Sequence, residues 1–180
     1  MFKWNKKGKI FEPQGQYPWM HSHAQCPVPL DFGDFIRVYI STREAYHDGL
    51  CRSCGAFVDL DKNNLKKVIN ISSEPVTDFG GIGEFDEFGV MPNSVVPHND
   101  EYYLYYSGWT RGVSPPYGWE VGLAVGVDGA RFKKPGEGPV IGPSLHEAYL
   151  HACPIVYKYA EEDWHMFYLS GLRWLEDKGK

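Results

Sequence analysis

The sequence has 180 residues, of which 43% are hydrophobic and 16% aromatic, and a formal net charge of −5. These values are typical of one globular domain with a substantial core, and the lack of a large basic region argues against a nucleic-acid partner. No run approaches the roughly 18 apolar residues of a membrane span. No signal peptide is visible, so we expect a cytoplasmic protein with no membrane partner.

One sequence pattern recurs three times along the chain. Its first landmark is a proline at Pro27, Pro92 and Pro154, with spacings of 65 and 62 residues. A Tyr-x-Ser triplet follows each proline and ends at Ser41, Ser107 and Ser170. A Pro-Val pair recurs with nearly the same period, at 75–76 and 139–140. An internal repeat of this length indicates that the fold is built from equivalent modules.

Each module is predicted to consist of antiparallel β-strands. The proline opens a short apolar run, a position that suits a residue without a backbone N–H. An Asp- or Glu-containing turn and an aromatic β run follow, then two further runs, predicted at 54–61 and 65–72 in the first unit and at 120–129 and 131–138 in the second. Four antiparallel strands per module are typical of a β-propeller blade. We therefore predict an all-β, partial propeller with blades at about 19–80 and 86–142 and the start of a third at 147–180.

The number of blades is a problem for this prediction. Propellers close with four to eight blades, whereas this chain holds about two and a half. An incomplete propeller exposes an unpaired strand edge, which favours association with another chain. The sequence leaves two explanations open: the chain is part of a longer protein, or it forms a homo-oligomer that closes the open edge.

Five motifs carry a resemblance to a known group of proteins, and they are "HAQCPVPL" at 23–30, "GEFDEFGVMPNSVV" at 83–96, "YLYYSGW" at 103–109, "GLAVGVDGARF" at 122–132 and "MFYLSGLRW" at 166–174. They resemble the five-bladed propellers of the arabinanase, levansucrase and invertase group of glycoside hydrolases. The most similar group is an uncharacterised glycosidase-like family, and the resemblance covers only the N-terminal half of such a propeller. It implies a carbohydrate substrate and an active site at the channel mouth, built from carboxylates of the first three blades.

The resemblance implies catalytic residues in the segments that precede the inner-strand prolines. Asp86 precedes Pro92 by six residues, with Glu87 as its alternative, and Glu147 precedes Pro154 by seven. We assign Glu147 as the candidate general acid and Asp86 as the second carboxylate. Carboxylates crowded at one mouth repel, which raises at least one pKa and keeps an acid protonated near neutrality.

The first unit departs from the pattern of this group. Gln25 and Cys26 stand where an arabinanase has an aspartate before the proline, and the counterpart of Asp86 is His21. A histidine has a suitable pKa for a general base, so His21 is the third catalytic candidate. His23 and Gln25 are alternatively sugar-binding residues.

Four further residues are candidates for sugar binding: Trp19, Arg52, Trp109 and His151. The Cys51–Cys54 pair lacks a second pair of metal ligands at suitable spacing, so we predict neither a metal site nor a cofactor. Three functions stay open. They are a glycoside hydrolase, a non-catalytic sugar-binding propeller, and a half-propeller that functions only after self-association or with further blades.

Overall fold

The computed structural model describes residues 2–46 and 49–176, and all regular secondary structure within these ranges is β-strand. The predicted all-β class is therefore confirmed. The strands are β1 (Ser22–Asp31), β2 (Phe35–Arg43), β3 (Ser53–Asp61), β4 (Asn64–Ile71), β5 (Gly89–His98), β6 (Glu101–Arg111), β7 (Tyr117–Gly126), β8 (His151–Ala160) and β9 (Asp163–Ser170). No part of the described chain forms an apolar helix of membrane-spanning length.

The strands form two blades and a separate hairpin. The first blade pairs β1, β2, β3 and β4 as consecutive antiparallel neighbours. The second blade pairs β5, β6 and β7 in the same way, and β8 pairs with β9. One parallel contact between Ser53 and Gly89 joins the two blades into one continuous sheet. The start of the third predicted module includes residues 177–180, which lie outside the described residues.

The outer edge of the second blade differs from the prediction of a strand at 131–138. The segment forms only an isolated bridge from Lys133 to Val125, and a second bridge joins Ile141 to Val121. Pro135 interrupts any ladder in this segment because it has no N–H to donate, and the flanking glycines disfavour an extended conformation. The edge of the second blade is therefore covered by a loop rather than by a regular fourth strand.

The three inner strands share a bulge beside the aligned prolines. The register shifts between Gln25 and Val28 in β1, between Pro92 and Ser94 in β5, and between Ala152 and Ile155 in β8. Cys26 and Cys153 have positive φ angles of 50° and 54°, values that few non-glycine residues adopt. Such bulges bend a strand and redirect its side chains. Each of the three inner strands therefore bends beside its aligned proline.

Hydrogen bonds hold the third inner strand against the second blade. The Ser94 hydroxyl accepts from the Val156 N–H at 3.1 Å, and the Ser107 hydroxyl accepts from the Cys153 N–H at 2.8 Å. The inner strand β5 packs between β1 and β8. These contacts fix the start of β8, where the third-unit candidates lie, relative to the second blade.

The main core fills the space between the first two blades. Burial of this apolar surface is the dominant driving force for their association. Its members come from both blades and from the connections that follow them: Tyr39, Phe57, Val76, Phe85, Val90, Val95, Leu104, Tyr106, Ala124 and Phe132.

Candidate active site on the third inner strand

Glu147 lies in the loop that enters β8 and is held there by local hydrogen bonds. Its backbone N–H donates to the Ser144 hydroxyl at 3.1 Å, and the Ser144 N–H donates to the Glu147 carbonyl at 2.8 Å. The Tyr168 hydroxyl donates to Glu147 Oε2 at 2.9 Å. The carboxylate is therefore positioned by a tight turn on one side and by β9 on the other.

His151 is the first residue of β8 and lies beside Glu147. Its side chain is 0% exposed, and neither ring nitrogen has a hydrogen-bond partner among the described residues. The Nε2 atom is 3.9 Å from Glu147 Oε2, which is beyond hydrogen-bonding distance. A buried imidazole without a partner is costly to the stability of the fold.

The electrostatic environment favours the charged form of Glu147. Hydrogen bonding by the hydroxyls of Ser170 and Tyr168 lowers the pKa of this carboxyl, and the neighbouring His151 contributes in the same direction. Donors that bind a carboxylate stabilise its ionised state. This direction is opposite to the raised pKa that the sequence analysis expected of a general acid at this position.

A second carboxylate near His151 was not identified from the sequence. Glu120 lies on β7, opposite Gly108 of β6, and is partly buried. Burial raises the pKa of Glu120, while the nearby His151 acts in the opposite direction. The sequence indicates Glu120 only as a charged residue between Trp119 and Val121, in a run that otherwise has the pattern of a buried strand.

Asp86 is completely buried and lies in a different environment. Its Oδ2 accepts from the Tyr106 hydroxyl at 2.7 Å and is 2.6 Å from the Lys134 ammonium. Burial and the adjacent Asp86 carboxylate raise the pKa of Tyr106, so the phenol remains a donor. Glu87 accepts from the Gly83 N–H at 3.0 Å. These contacts of the buried Asp86 side chain hold the loop that precedes β5 against the second blade.

The first-unit candidates lie at the start of β1 and are exposed to solvent. The His21 N–H donates to the Arg43 carbonyl at 2.8 Å, and the His23 ring contacts the Ser22 hydroxyl at 2.9 Å. Gln25 lies opposite Ser41 in the β1–β2 register. The histidines therefore lie at the surface. Among the contacts given for the described residues, none joins His21, His23 or Gln25 to Glu147 or His151.

Two of the predicted sugar-binding residues line one cleft of about 580 Å³. Trp19 and Arg52 form its walls together with Glu44 and Phe88. The Arg52 guanidinium binds Glu44 through bonds of 2.8 and 3.1 Å. The cleft thus combines an aromatic wall with a few polar groups.

Trp109 is fixed near the same end of the two blades. Its ring packs 5.8 Å from that of Phe88, and its indole N–H donates to the Ser53 hydroxyl at 2.8 Å. The Arg43 guanidinium also donates to Ser53. This network joins β2, β3 and β6 at the point where the two blades meet.

The predicted site residues thus form separate groups. Glu147 and His151 lie together, Trp19 and Arg52 share a cleft, and Asp86 is buried with Lys134. Among residues 2–46 and 49–176, no group of three histidine, cysteine or carboxylate side chains is arranged to hold a metal ion.

Sequence comparison identifies relatives of greater length. The uncharacterized proteins Rv1502 and MT1551, from Mycobacterium tuberculosis strains H37Rv and CDC 1551, are each 35% identical to the chain over 174 residues. The match covers 96% of this chain and 56% of each relative, so the chain spans little more than half their length. No family model matches the sequence.

Three solved structures share the fold. A thermostable family-43 glycoside hydrolase has a TM-score of 0.55 at 18% identity, covering 73% of this chain and 43% of that chain. An alpha-L-arabinofuranosidase from Clostridium thermocellum has a TM-score of 0.56 at 18% identity, over 81% and 47%. An N-acetylgalactosamine deacetylase from F. plautii has a TM-score of 0.55 at 13% identity, over 81% and 40%.

These likenesses concern the fold, since all three identities are low. Each neighbour extends well beyond the matched region, and the sheet of this chain is open. A fold that carries both glycoside hydrolases and a deacetylase does not define one reaction. The chain is therefore an all-β, partial five-bladed β-propeller, similar in fold to these structures.

Proposed function

We propose that this chain is part of a carbohydrate-active enzyme of the glycoside hydrolase type, with its chemistry at the Glu147–His151 cluster. The observation that carries the proposal is the Glu147 carboxylate, held by the Tyr168 hydroxyl beside a buried histidine that has no hydrogen-bond partner among the described residues. Glycoside hydrolysis needs a positioned carboxylate that acts as base or nucleophile next to the anomeric carbon. The fold shared with family-43 glycoside hydrolases supports this reaction class.

The test is hydrolysis of a panel of oligosaccharides and aryl glycosides by the chain and two variants. Glu147→Gln keeps the size of the side chain but removes its charge, and we expect it to lower kcat/KM by 100-fold or more. Glu162→Gln is the matched control, because Glu162 is an exposed acid in the β8–β9 turn. Equal activity of Glu147→Gln and the natural chain would refute the assignment.

A non-catalytic sugar-binding propeller is the second candidate function. The cleft between Trp19 and Arg52 favours it, because aromatic walls stack on sugar rings and a guanidinium binds hydroxyl or carboxylate groups. This function predicts that Trp19→Ala weakens glycan binding in calorimetry at least tenfold, whereas Glu147→Gln leaves it unchanged and no turnover occurs. Binding lost in Glu147→Gln but kept in Trp19→Ala would exclude it.

A further inference from the structure

The serine of the repeated Tyr-x-Ser triplet contacts the third inner strand from the second blade. Ser107 lies on β6, opposite Met91 of β5, and its side chain is 0% exposed. Its hydroxyl accepts from the Cys153 N–H of β8 at 2.8 Å, although the two residues lie 46 positions apart in the chain. A buried side chain of the second blade therefore holds the backbone of the strand on which His151 lies.

The Ser107 hydroxyl is itself fixed by Asn93, which lies at the β5 bulge between the pairs made by Pro92 and Ser94. The hydroxyl donates to Asn93 Oδ1 at 2.7 Å, and the Ser107 N–H donates to the same oxygen at 3.0 Å. Since Asn93 receives the proton of the hydroxyl, the lone pairs of the hydroxyl are left for the Cys153 N–H. The three groups form one chain of hydrogen bonds, in which each bond strengthens the next.

The donor of the bond to Ser107 is the bulge of β8. Cys153 lies within the register shift between Ala152 and Ile155, and its φ of 54° is in the left-handed region. That conformation is unfavourable for a residue with a side chain, so it persists where surrounding contacts hold it. The Asn93–Ser107 pair supplies such a contact and couples the bulges of two neighbouring inner strands.

The conformation of this bulge affects the location of the Glu147–His151 cluster. His151 precedes Cys153 by two residues on the same strand, and its ring is completely buried. Because a bulge redirects the side chains beside it, a change of the backbone at Cys153 displaces His151. The 3.9 Å between His151 Nε2 and Glu147 Oε2 would change with it.

A second serine holds β8 at a point that lies beyond the bulge. The Ser94 hydroxyl accepts from the Val156 N–H at 3.1 Å and donates to the Val156 carbonyl at 3.4 Å. Ser94 is also buried, but Val156 lies five residues after His151. The second blade thus contacts β8 through two buried serines, of which only Ser107 binds the bulge beside the cluster.

We propose that Ser107 is a positioning residue of the candidate active site. Held by Asn93, it fixes the bulge at Cys153 and thereby the location of the Glu147–His151 cluster. This inference rests on the proposed glycoside hydrolase function and adds a residue of the second blade to it. A displacement of catalytic groups by about 1 Å lowers rates by about 100-fold, so the loss of this contact affects the chemical step.

Kinetic measurements on four variants test this role with the aryl glycosides of the panel. We expect Ser107→Ala to lower kcat by about tenfold or more with less than a threefold change in KM, because the cluster moves while ground-state binding persists. Ser94→Ala removes the contact beyond the bulge and should keep at least about half of the natural kcat. Asn93→Asp keeps an acceptor for both Ser107 donors and should remain active, whereas Asn93→Leu should behave like Ser107→Ala.

A second measurement does not depend on turnover. In protein labelled with ¹⁵N-histidine and ¹⁵N-cysteine, we expect Ser107→Ala to shift the ring resonances of His151 and to speed hydrogen exchange of the Cys153 amide by about tenfold or more. Ser94→Ala should leave the His151 ring resonances unchanged. His151→Leu and Cys153→Ser assign the two sets of resonances.

Each outcome has a definite meaning. Unchanged His151 resonances in Ser107→Ala, or equal losses of kcat in Ser107→Ala and Ser94→Ala, would overturn the positioning role. If Ser107→Ala does not fold, the comparison of Asn93→Leu with Asn93→Asp decides, and equal behaviour of these two variants would overturn the role. If the natural chain hydrolyses no glycoside, the proposed function fails, and the resonances alone decide whether Ser107 positions His151.

Discussion

His151 is the residue whose environment is hardest to explain by folding alone. Neither nitrogen of this buried ring has a hydrogen-bond partner among the described residues, which lowers the stability of the fold. We propose that function explains why this residue is retained, because active sites commonly keep groups that lower the stability of the fold.

Replacement of His151 by leucine should therefore separate stability from activity. We expect His151→Leu to raise the free energy of unfolding by about 1 kcal/mol or more, because two unsatisfied polar atoms disappear, and to abolish hydrolysis. Urea denaturation followed by tryptophan fluorescence measures the first effect. His98→Leu is the contrasting variant, since His98 accepts from Lys158 at 2.7 Å and its loss should destabilise. A destabilising His151→Leu would show that the imidazole is structural.

The Tyr168 hydroxyl is one of the donors that keep Glu147 ionised. These donors lower the pKa of Glu147, so this carboxylate stays charged to a lower pH than an ordinary glutamate. Tyr168→Phe removes one donor, which raises the pKa of Glu147 and moves the acidic limb of the kcat/KM profile to higher pH. Ser170 remains, so we expect a partial shift. Tyr159→Phe, at an exposed tyrosine of the same hairpin, should leave the profile unchanged. A shift of the limb to lower pH would contradict this account.

At the scale of the elements, the strand positions followed from local chemistry. The β-branched and aromatic runs of 35–42 and 101–109 became β2 and β6 because they fit a half-buried pleated surface. The predicted strand at 131–138 failed because the apolar signal of Phe132 reflects its place in the core between the blades, while Pro135 prevents a ladder. Pattern alone does not distinguish a core-facing loop residue from a strand residue.

The candidate site was only partly predictable for a related reason. Glu147 and His151 are close in sequence, so the segment before the third proline located both. The environment of Glu120 was not predicted, because Gly142 approaches its carboxyl group from a different segment of the chain. The sequence did not predict the burial of Asp86 either, because its partner Lys134 belongs to the loop after the second blade, far along the chain.

Close packing between the loop that precedes β5 and strand β6 gives a test of the element arrangement. A Cβ atom added at Gly108 would lie 2.5 Å from the Phe85 ring and 2.6 Å from Asp86 Cβ. We expect Gly108→Ala to reduce the free energy of unfolding by about 1–3 kcal/mol through overpacking. Gly136→Ala is the matched control, because nothing lies within 4 Å of its added Cβ. Equal urea midpoints for the two variants would contradict the packing of this loop on the second blade.

At the scale of the whole molecule, the β8–β9 hairpin leaves an apolar face exposed. Large side chains alternate along it with exposures of 47% to 66%, and they are Ile155, Tyr157, Tyr159, Phe167 and Leu169. An exposed apolar face next to an open sheet edge favours contact with another β structure. The relatives and the structural neighbours are longer than the region that they share with this chain.

We expect the 180-residue chain to self-associate through this face when no other blades are present. Sedimentation velocity over a range of concentrations should show oligomers, and Phe167→Glu should shift them toward monomer. Leu65→Glu, at an exposed residue of β4, is the control for a general effect of added charge. We expect this variant to form the same oligomers as the natural chain. A chain that sediments as a monomer at every concentration would contradict this prediction.

The most direct test of the account is a crystal structure of the Glu147→Gln variant with a bound oligosaccharide. The account predicts that a sugar ring lies within hydrogen-bonding distance of the side chain at position 147 and of His151. An oligosaccharide bound only in the cleft of Trp19 and Arg52, with no contact to the side chain at position 147, would contradict a catalytic site on the third inner strand.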